Sequence, residues 1–383
     1  MACTASRITY EKLGVLVTDF PAYKENGTTS GDLIRVQSMN FGFAHPGLDV
    51  KEVGSDELVQ REVTNNGITS RNGESPIIRQ PEVNCEINYY FSSGENERAI
   101  GFYTYSDGSV LKNFFERSGT DDINIIGVAA NESRITDLNF VDTQDFEGYH
   151  VIGIGNCFLQ QYNYNAQVGS LPTSSVSYAA SNLKFDIYDS NDPPTLPSIK
   201  LGVDNEFSDE KIYLDSNSFN GEVVDGANAI MPGDMIIEIT KEAGEYGGAP
   251  LESVTAAIQN VSITLPIPRQ DIFGFGSNYV FNRKPKLPII GFASMDMILR
   301  EYATGQIESF FEEGSKYQIL LKHTDRYHHS GKLELASVIN NIAIDNAQLK
   351  SQNFSNQIQG QSTVSTSFNF GVSASAGLRI YSV

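Results

Sequence analysis

The 383-residue chain has no tryptophan, three cysteines and five histidines. Cys3, Cys85 and Cys157 are an odd number without the spacing of a zinc site, so the sequence indicates neither a disulfide framework nor a metal site. No apolar run approaches the roughly 18 residues that a membrane-spanning helix needs. The N-terminus shows no apolar segment of the signal-peptide type. These absences predict a soluble protein that is made in a cytoplasm and has no membrane partner.

Basic residues are also scarce. The chain has 27 lysines and arginines and 47 acidic residues, so its formal net charge is −20. A protein that reads DNA or RNA normally carries a basic patch, and the scattered cations of this chain form none. The acid excess keeps the chain soluble and repels polyanions. A sequence-specific nucleic-acid reader is therefore not expected.

No pattern of a catalytic or ligand-binding site stands out. His328 and His329 lie in a polar turn without a cysteine or carboxylate at ligand spacing. Gly274 and Gly276 follow no strand–helix–strand pattern, so they predict no dinucleotide site. The run from Asp215 resembles the start of a calcium loop, but the twelfth position is Gly226 in place of a bidentate acid. We expect no catalytic residue, no cofactor and no bound metal.

The most informative feature that is present is an internal repeat. Residues 36–61 align without a gap with residues 258–283, at an offset of 222 residues (Gln37 to Gln259). Internal repetition is sought first because missing it leads to the wrong fold. The identical positions that define the repeat are Gln37, Pro46, Asp49, Gly54 and Arg61 in the first segment and Gln259, Pro268, Asp271, Gly276 and Arg283 in the second.

Three further matches follow in the same order. Residues 76–78 match 288–290, residues 111–116 match 307–312, and residues 156–178 match 346–368. Alternation alone could produce one such match between β-rich segments, but hardly four collinear ones. The sequence predicts an N-terminal arm (1–35), a first domain (36–190), a linker or inserted hairpin region (191–257) and a second domain (258–383).

Alternating apolar and polar residues, frequent turn signals and short helical segments predict a mainly β fold. We expect two tandem, duplicated β-sandwich or half-barrel domains, each with one short flanking α-helix, at 107–118 in the first and 304–314 in the second. The segment 62–75 predicts a long exposed loop that the second copy lacks, and such loops on rigid sheets usually carry contacts. The candidate contact residues of this loop are Glu62, Asn65, Asn66, Arg71, Asn72 and Glu74.

Residues 155–182, 260–288 and 344–370 resemble major tail proteins, or tail tube proteins, of tailed bacteriophages. The resemblance implies a β-sandwich or half-barrel fold with one flanking helix. It also implies hexameric rings whose inner sheets join around a DNA channel and that stack through a long loop and terminal arms. Segment 62–75 occupies the place of that loop, and residues 1–32 that of the arm.

The doubled chain departs from the simple family pattern, and we expect three chains to supply six domains in a pseudo-hexameric ring. The implied partners are other copies of this chain, the tail terminator, tape measure and baseplate or distal tail proteins, and double-stranded DNA that passes without sequence recognition. The implied location is the virion tail, assembled in the host cytoplasm. If part of the acid excess lines the channel, DNA passes a like-charged wall.

Two alternatives remain open at this point. A tail hub or distal tail protein would form a single trimeric ring in place of a long tube. A capsid decoration or host-binding β-sandwich protein would carry an exposed cluster of aromatic or glycan-binding loops and would not stack on itself.

Overall fold

The computed structural model describes residues 10–19, 24–25, 28–29, 31–44, 61–64, 67–70, 82–92, 94–116, 122–131, 146–198, 211–214, 235–241, 257–273, 280–298, 315–324, 338–355 and 363–382. All statements about structure below refer to these residues.

Strands dominate the described chain, which confirms the prediction of a mainly β fold. The strands are β1 (Tyr10–Asp19), β2 (Lys24–Glu25), β3 (Thr28–Thr29), β4 (Asp32–Arg35), β5 (Ser38–Ala44), β6 (Arg61–Thr64), β7 (Gly67–Ser70), β8 (Glu82–Tyr90), β9 (Ile123–Asn131), β10 (His150–Gln167), β11 (Thr173–Ala180), β12 (Asn182–Ile187), β13 (Met235–Lys241), β14 (Ala257–Pro266), β15 (Arg269–Phe273), β16 (Val280–Pro285), β17 (Ile289–Ile298), β18 (Lys316–Thr324), β19 (Val338–Ser355), β20 (Thr363–Val372) and β21 (Leu378–Ser382). The two helices are α1 (Glu95–Ala99) and α2 (Lys112–Glu116).

Fifteen of the described strands form one antiparallel sheet, with the order β13-β18-β19-β20-β17-β14-β10-β11-β8-β5 along its main path. Strands β9 and β12 pair with β10, β1 pairs with β9 and β4, and β21 pairs with β19. Three separate two-stranded hairpins are formed by β2 with β3, β6 with β7, and β15 with β16.

The 18-residue strand β10 belongs to two layers of the fold. Its first half pairs with β9 and β12, and its second half pairs with β11 and β14. The change of direction falls at Asn156, whose φ of 52° is a left-handed conformation that asparagine tolerates better than most residues. A register shift between Leu159 and Gln161 follows directly. The bend lets one continuous strand cover the apolar core from both sides.

Strand β19 repeats each of these features. It is also 18 residues long, Asn346 has a φ of 56°, and its register against β20 shifts between Leu349 and Ser351. The sequence had matched Asn156 with Asn346, and this match falls on the same structural feature in both strands.

The pairing pattern as a whole also occurs twice. Strands β1, β9, β10, β11, β8 and β5 neighbour one another in that order, as do β13, β18, β19, β20, β17 and β14. Individual pairs agree: Phe41 lies opposite Cys85 in the first set, and Ile263 lies opposite Ala293 in the second. We call these sets the first and second halves. Their agreement supports a duplication, although the division into two tandem domains stays a prediction.

Part of the N-terminal arm predicted over residues 1–35 forms a strand of the core. Strand β1 pairs with β9 along its whole length and with β4, and Val15 and Leu16 are fully buried. The reason is the apolar run LGVLV at 13–17, which is stabilised only inside a core. Strand β13 is its counterpart, because it pairs with β18 as β1 pairs with β9. The second half therefore begins before residue 258.

Part of the predicted linker, 191–257, packs on the first half. Leu196, Ile212 and Leu214 are buried against the outer side of β1, β9 and β10. The Tyr188 hydroxyl donates to the Leu214 carbonyl at 3.1 Å. Gly155 allows the close approach, because a Cβ there would lie 2.5 Å from the Pro197 carbonyl oxygen.

Helices and one matched block also differ from the sequence prediction. Helix α1 was not predicted from the sequence, and α2 begins at Lys112, five residues later than the predicted helix 107–118. The predicted helix 304–314 lies outside the described residues. The strand pairing also changes one match of the sequence repeat. Gly291 opposite β20 and Val83 opposite β11 occupy equivalent positions, so Ile290 corresponds to Glu82 and not to Ile78.

Replacing Gly155 by alanine should lower the free energy of unfolding by about 1–3 kcal/mol, because the new methyl group meets the backbone of Pro197 and Ser198. Urea unfolding measures the change. Gly371→Ala is the matched control, since its Cβ would meet no atom within 4 Å. Equal losses in the two variants would show that the segment 196–198 does not press on Gly155.

Candidate functional site: the junction of the two halves and the polar face

The predicted contact loop is only partly described. Glu62 lies in β6, which pairs with β7 over four residue pairs, so part of segment 62–75 is a β-hairpin. The other candidate residues lie outside the described residues: Asn65, Asn66, Arg71, Asn72 and Glu74. Their role as contact residues stays a prediction.

Four of the repeat-defining residues, Pro46, Asp49, Gly54 and Gly276, also lie outside the described chain, and Arg61 begins β6. Asp271 and the buried Arg283 lie opposite each other in the hairpin of β15 and β16, with a carboxylate oxygen 3.5 Å from Nε. The matched arginine and aspartate thus form one cross-strand ion pair in the second half.

The remaining repeat-defining residues contribute backbone hydrogen bonds. The Gln37 amide donates to the Asn88 carbonyl at 2.8 Å, and the Gln259 carbonyl accepts from the Val168 amide at 2.9 Å. The Pro268 carbonyl accepts from the Lys286 amide at 2.7 Å. These residues therefore mark strand ends and turns, which explains why their matches say little about chemistry.

The two halves join edge to edge through strands β10 and β14. Seven residue pairs connect Gln161–Gln167 with Asn260–Pro266. We call this pairing the internal junction. On its apolar face Tyr162 lies opposite Leu265 and Tyr164 opposite Ile263, and these four side chains are fully buried. The sequence showed the alternation in both strands but carried no signal that they pair with each other.

Arg269 of the second half holds the hairpin of β15 and β16 against the first half. Its Nε donates to the Leu159 carbonyl at 2.7 Å, at the register shift of β10. Its guanidinium group also lies over the rings of Phe158 and Phe114, 5.3 and 5.6 Å from their centres. Both contacts involve the positive charge of the guanidinium group and connect this hairpin to the first half.

A second set of contacts joins the loop before α2 to the turn between β20 and β21. The Val110 amide donates to the Leu378 carbonyl at 2.8 Å, and the Ser109 amide donates to the Ala374 carbonyl at 3.1 Å. Arg379, which forms a two-bond ion pair with Asp345 at 2.6 Å, also donates to the Ser106 carbonyl at 2.9 Å. The halves are therefore attached at several places besides the ladder.

A buried carboxyl group lies under the internal junction. Glu97 of α1 is fully buried and accepts from the hydroxyl groups of Tyr89 at 3.0 Å and Tyr162 at 3.2 Å. Burial raises the pKa of Glu97 to about 7, although the hydrogen bonds from these tyrosines act in the opposite direction. Glu97 therefore binds its proton more tightly in the folded protein than in the unfolded chain.

A buried histidine of the second half meets the first half at the same place. His323 of β18 lies with Nε2 2.9 Å from the Tyr164 hydroxyl and packs against the ring of Phe91 at 5.0 Å. Burial lowers the pKa of His323 to about 4. Because the folded-state pKa is depressed, the histidine takes up a proton first in the unfolded chain, so the folded protein loses stability as the pH falls from the ordinary histidine value toward 4.

The opposite side of the sheet, from β5 through β8, β11, β10, β14, β17 and β20 to the second part of β19, is hydrophilic. We call it the polar face. Strand β17, between β14 and β20, contributes Ile290 and Phe292 to this face beside Ser294 and Asp296. Amide and hydroxyl side chains dominate the other strands, and on β10, β11, β14 and β20 they are Gln161, Asn163, Asn165, Gln167, Thr173, Ser175, Ser177, Asn260, Ser262, Thr264, Thr363, Ser365, Ser367 and Asn369.

Charges are sparse on this face. The described strands contribute three carboxylates, Glu82, Glu86 and Asp296, and one ammonium group, Lys350. Asp296 accepts from Ser365 at 2.6 Å and from Asn260 at 3.3 Å. The face is therefore close to neutral, in contrast to the chain as a whole.

Cys85 and Cys157 are free and buried, and burial raises the pKa of Cys85 to about 12. Within the described ranges no cluster of histidine, cysteine and acidic side chains could hold a metal ion. Nor does any described helix have the length and apolarity needed to cross a membrane.

Glu97→Gln should become progressively more stable than the wild type as the pH rises. Ionisation of the buried carboxyl group costs on the order of 3 kcal/mol between its ordinary pKa and about 7, and glutamine avoids this cost. Urea unfolding midpoints at about pH 5 and pH 8 measure the difference. Glu86→Gln, on the exposed face of neighbouring strand β8, should show no such trend. A pH-independent difference for Glu97→Gln would mean that the group is already ionised in the folded protein.

Comparisons with known proteins give coarse structural neighbours. No family model and no curated protein matches the chain. Among solved structures, the SPP1 tail tube is similar with a TM-score of 0.29 and 15% identity, over 40% of this chain and 80% of that chain. The tube-terminating cap of the anti-feeding prophage aligns with a TM-score of 0.28 and 11% identity, over 43% and 100% of the respective chains. The baseplate of the anti-feeding prophage aligns with a TM-score of 0.26 and 7% identity, over 38% and 91%.

Proposed function

We propose that this chain is a structural protein of a bacteriophage tail whose copies associate into rings. The observation that carries the proposal is the internal junction, in which two four-stranded sheets of one chain join edge to edge into a continuous sheet with one apolar and one polar face. Rings of sheets joined in this way are what the sequence resemblance implies. The protein has no enzymatic role in this proposal.

Each chain would supply two of the six positions of a pseudo-hexameric ring, so that three chains close it. Closure around a ring removes the unpaired strand edges that would otherwise attract other chains. Rings would then stack into a hollow tube, with the hairpin of β6 and β7 and the rest of segment 62–75 as the contact between rings. The other partners would be the terminator, tape measure and baseplate or distal tail proteins, in a tail assembled in the host cytoplasm.

In this ring the polar face would line the channel through which double-stranded DNA passes. The earlier expectation of an acidic wall changes, because the described strands place only three acidic side chains there and one lysine. Nearly all hydrogen-bonding groups of the wall are neutral. With one lysine and three acidic side chains from each chain, such a wall offers the phosphates few ion pairs and releases few counterions, so DNA is held only weakly.

Negative-stain electron microscopy of the purified chain tests the ring and the tube. We expect hollow tubes of stacked rings with three-fold symmetry. Single trimeric rings that do not stack would support a hub or distal tail protein instead. A chain that remains monomeric at high concentration and after addition of a tail initiator complex would contradict the proposal and favour a decoration or host-binding protein.

Asn165→Lys should slow DNA ejection from virions several-fold at low salt, because it adds a ring of cations to the proposed wall. The exposed Asn165 lies on the polar face opposite Thr173 and Ser262, so lysine fits there without burial. Dye-detected DNA release after mixing with host cells measures the rate. Tyr213→Lys, at an exposed site outside the main sheet, is the control. If the variant ejected DNA at the wild-type rate at low salt, the polar face would not line the channel.

A further inference from the structure

The eight-stranded part of the sheet ends in two open edges. Among the described residues, β5 pairs only with β8, and the second part of β19, from Leu349 to Ser355, pairs only with β20. Both edges expose a large aromatic side chain on the apolar side of the sheet. Phe43 of β5 is 64% exposed and Phe354 of β19 is 53% exposed.

The edge of β19 is the counterpart of the β10 edge in the internal junction. Asn163 of β10 lies opposite Ser175, and Asn353 of β19 lies opposite Ser365. The pairs continue in step on both sides, including the register shift, so Phe354 occupies the position of Tyr164. Tyr164 is fully buried by strand β14 and the layer behind it.

The edge of β5 is the counterpart of the β14 edge. Strand β5 pairs with β8 as β14 pairs with β17, with Ser38 opposite Asn88 and Asn260 opposite Asp296. Phe41 therefore occupies the position of Ile263, and Phe43 that of Leu265. Both of these second-half residues are fully buried in the internal junction.

We propose that β19 of one copy pairs antiparallel with β5 of a second copy in the register of the internal junction. Phe354 then lies opposite Phe41 and Gln352 opposite Phe43 on the apolar side. On the polar face Ser355 lies opposite Asn40, and Asn353 opposite Gly42. The proposal names the chain-to-chain contact of the ring proposed above and rests on that function for the number of chains, but not for the pairing itself.

The surface beside β5 fits the same partner. Phe41 packs against Phe185 of β12 at 5.3 Å between ring centres, and Phe185 is 58% exposed. The counterpart of Phe185 is Ile380, since Phe185 pairs with Ile152 in β10 and Ile380 with Ile342 in β19. Ile380 is fully buried, and Gly94 of the first half lies next to its side chain. Phe41 and Phe185 thus lie at positions whose counterparts in the second half are buried at the internal junction.

A second copy is the occupant because each chain carries one edge of each kind. The two edges are seven strands apart in the sheet order, roughly 34 Å at about 4.8 Å per strand, so they do not meet within one chain. A contact between unlike edges of identical chains repeats from copy to copy and closes into a ring when the rotation permits.

Disulfide trapping tests the register with four cysteine positions used in two combinations. In a Cys3→Ser background, we expect Asn40→Cys with Ser355→Cys, and Gly42→Cys with Asn353→Cys, to give covalent dimers and trimers on non-reducing gels. The exchanged pairs, Asn40→Cys with Asn353→Cys and Gly42→Cys with Ser355→Cys, use the same sites shifted by two residues and should cross-link at least tenfold less. The native Cys85 and Cys157 stay buried and unreactive.

The outcomes separate this pairing from the ring itself. Covalent species that continue beyond trimers in the matched pairs support the pairing and overturn the three-chain ring. Rings that microscopy shows without cross-links in the matched pairs, or with equal cross-links in the exchanged pairs, overturn the pairing and leave the ring. Absence of both rings and cross-links overturns both proposals.

A second variant keeps the test independent of cysteine chemistry. Phe354→Asp should abolish association, as measured by light scattering, while leaving the unfolding midpoint of the dissociated chain unchanged, because the side chain is already half exposed there. Tyr105→Asp, at a comparably exposed aromatic away from both edges, should associate as the wild type does. Normal association of Phe354→Asp would overturn the pairing.

Discussion

The architecture depends on the bend of strand β10 at Asn156. Without it, one strand could not lie in the outer layer beside β9 and then in the inner layer beside β11 and β14. Side chains stabilise the bend as well as backbone conformation. The side-chain amide of Asn156 donates to the Asp122 carboxylate at 2.7 Å, and the backbone amide of Asn156 donates to the side-chain oxygen of Asn124 at 3.2 Å. Because these groups are buried, each unmade bond would cost the desolvation of a polar group. The bend therefore determines which edge of β10 is available to pair with β14 of the second half.

The sequence predicted the class of fold and much of the strand content, because alternation and turn residues are local signals. It also matched Asn156 with Asn346, the two residues at which the long strands bend. It did not predict that β1 and β13 are equivalent strands. Their sequences, LGVLVT at 13–18 and MIIEIT at 235–240, share apolar character and little identity, so only their pairing with β9 and β18 reveals the relation.

The candidate site was harder to predict than the fold. Residues that define the repeat, such as Pro268 and Gln259, were found because strand ends tolerate few residue types, but they perform backbone tasks. The internal junction consists of ordinary alternating strands, and pairing between distant strands leaves no local mark in a sequence. The buried Glu97 was also unpredictable, since only the approach of Tyr89 and Tyr162 from other strands makes burial of its carboxyl group tolerable.

The internal junction and the edge proposed to pair between copies carry different side chains at equivalent positions. At the internal junction, which forms within one chain, Tyr162 and Ser174 contribute to the buried polar cluster around Glu97. The corresponding positions of the second half hold Gln352, which lies opposite Thr366, and Val364, which lies opposite Phe354. A buried polar cluster requires every partner in place, and a chain that folds alone can supply them. In the proposed pairing, Phe354, which is half exposed in the single chain, would be buried only when the strand of the next copy arrives. In the proposed assembly one junction is therefore permanent, and the other would form when copies of the chain associate.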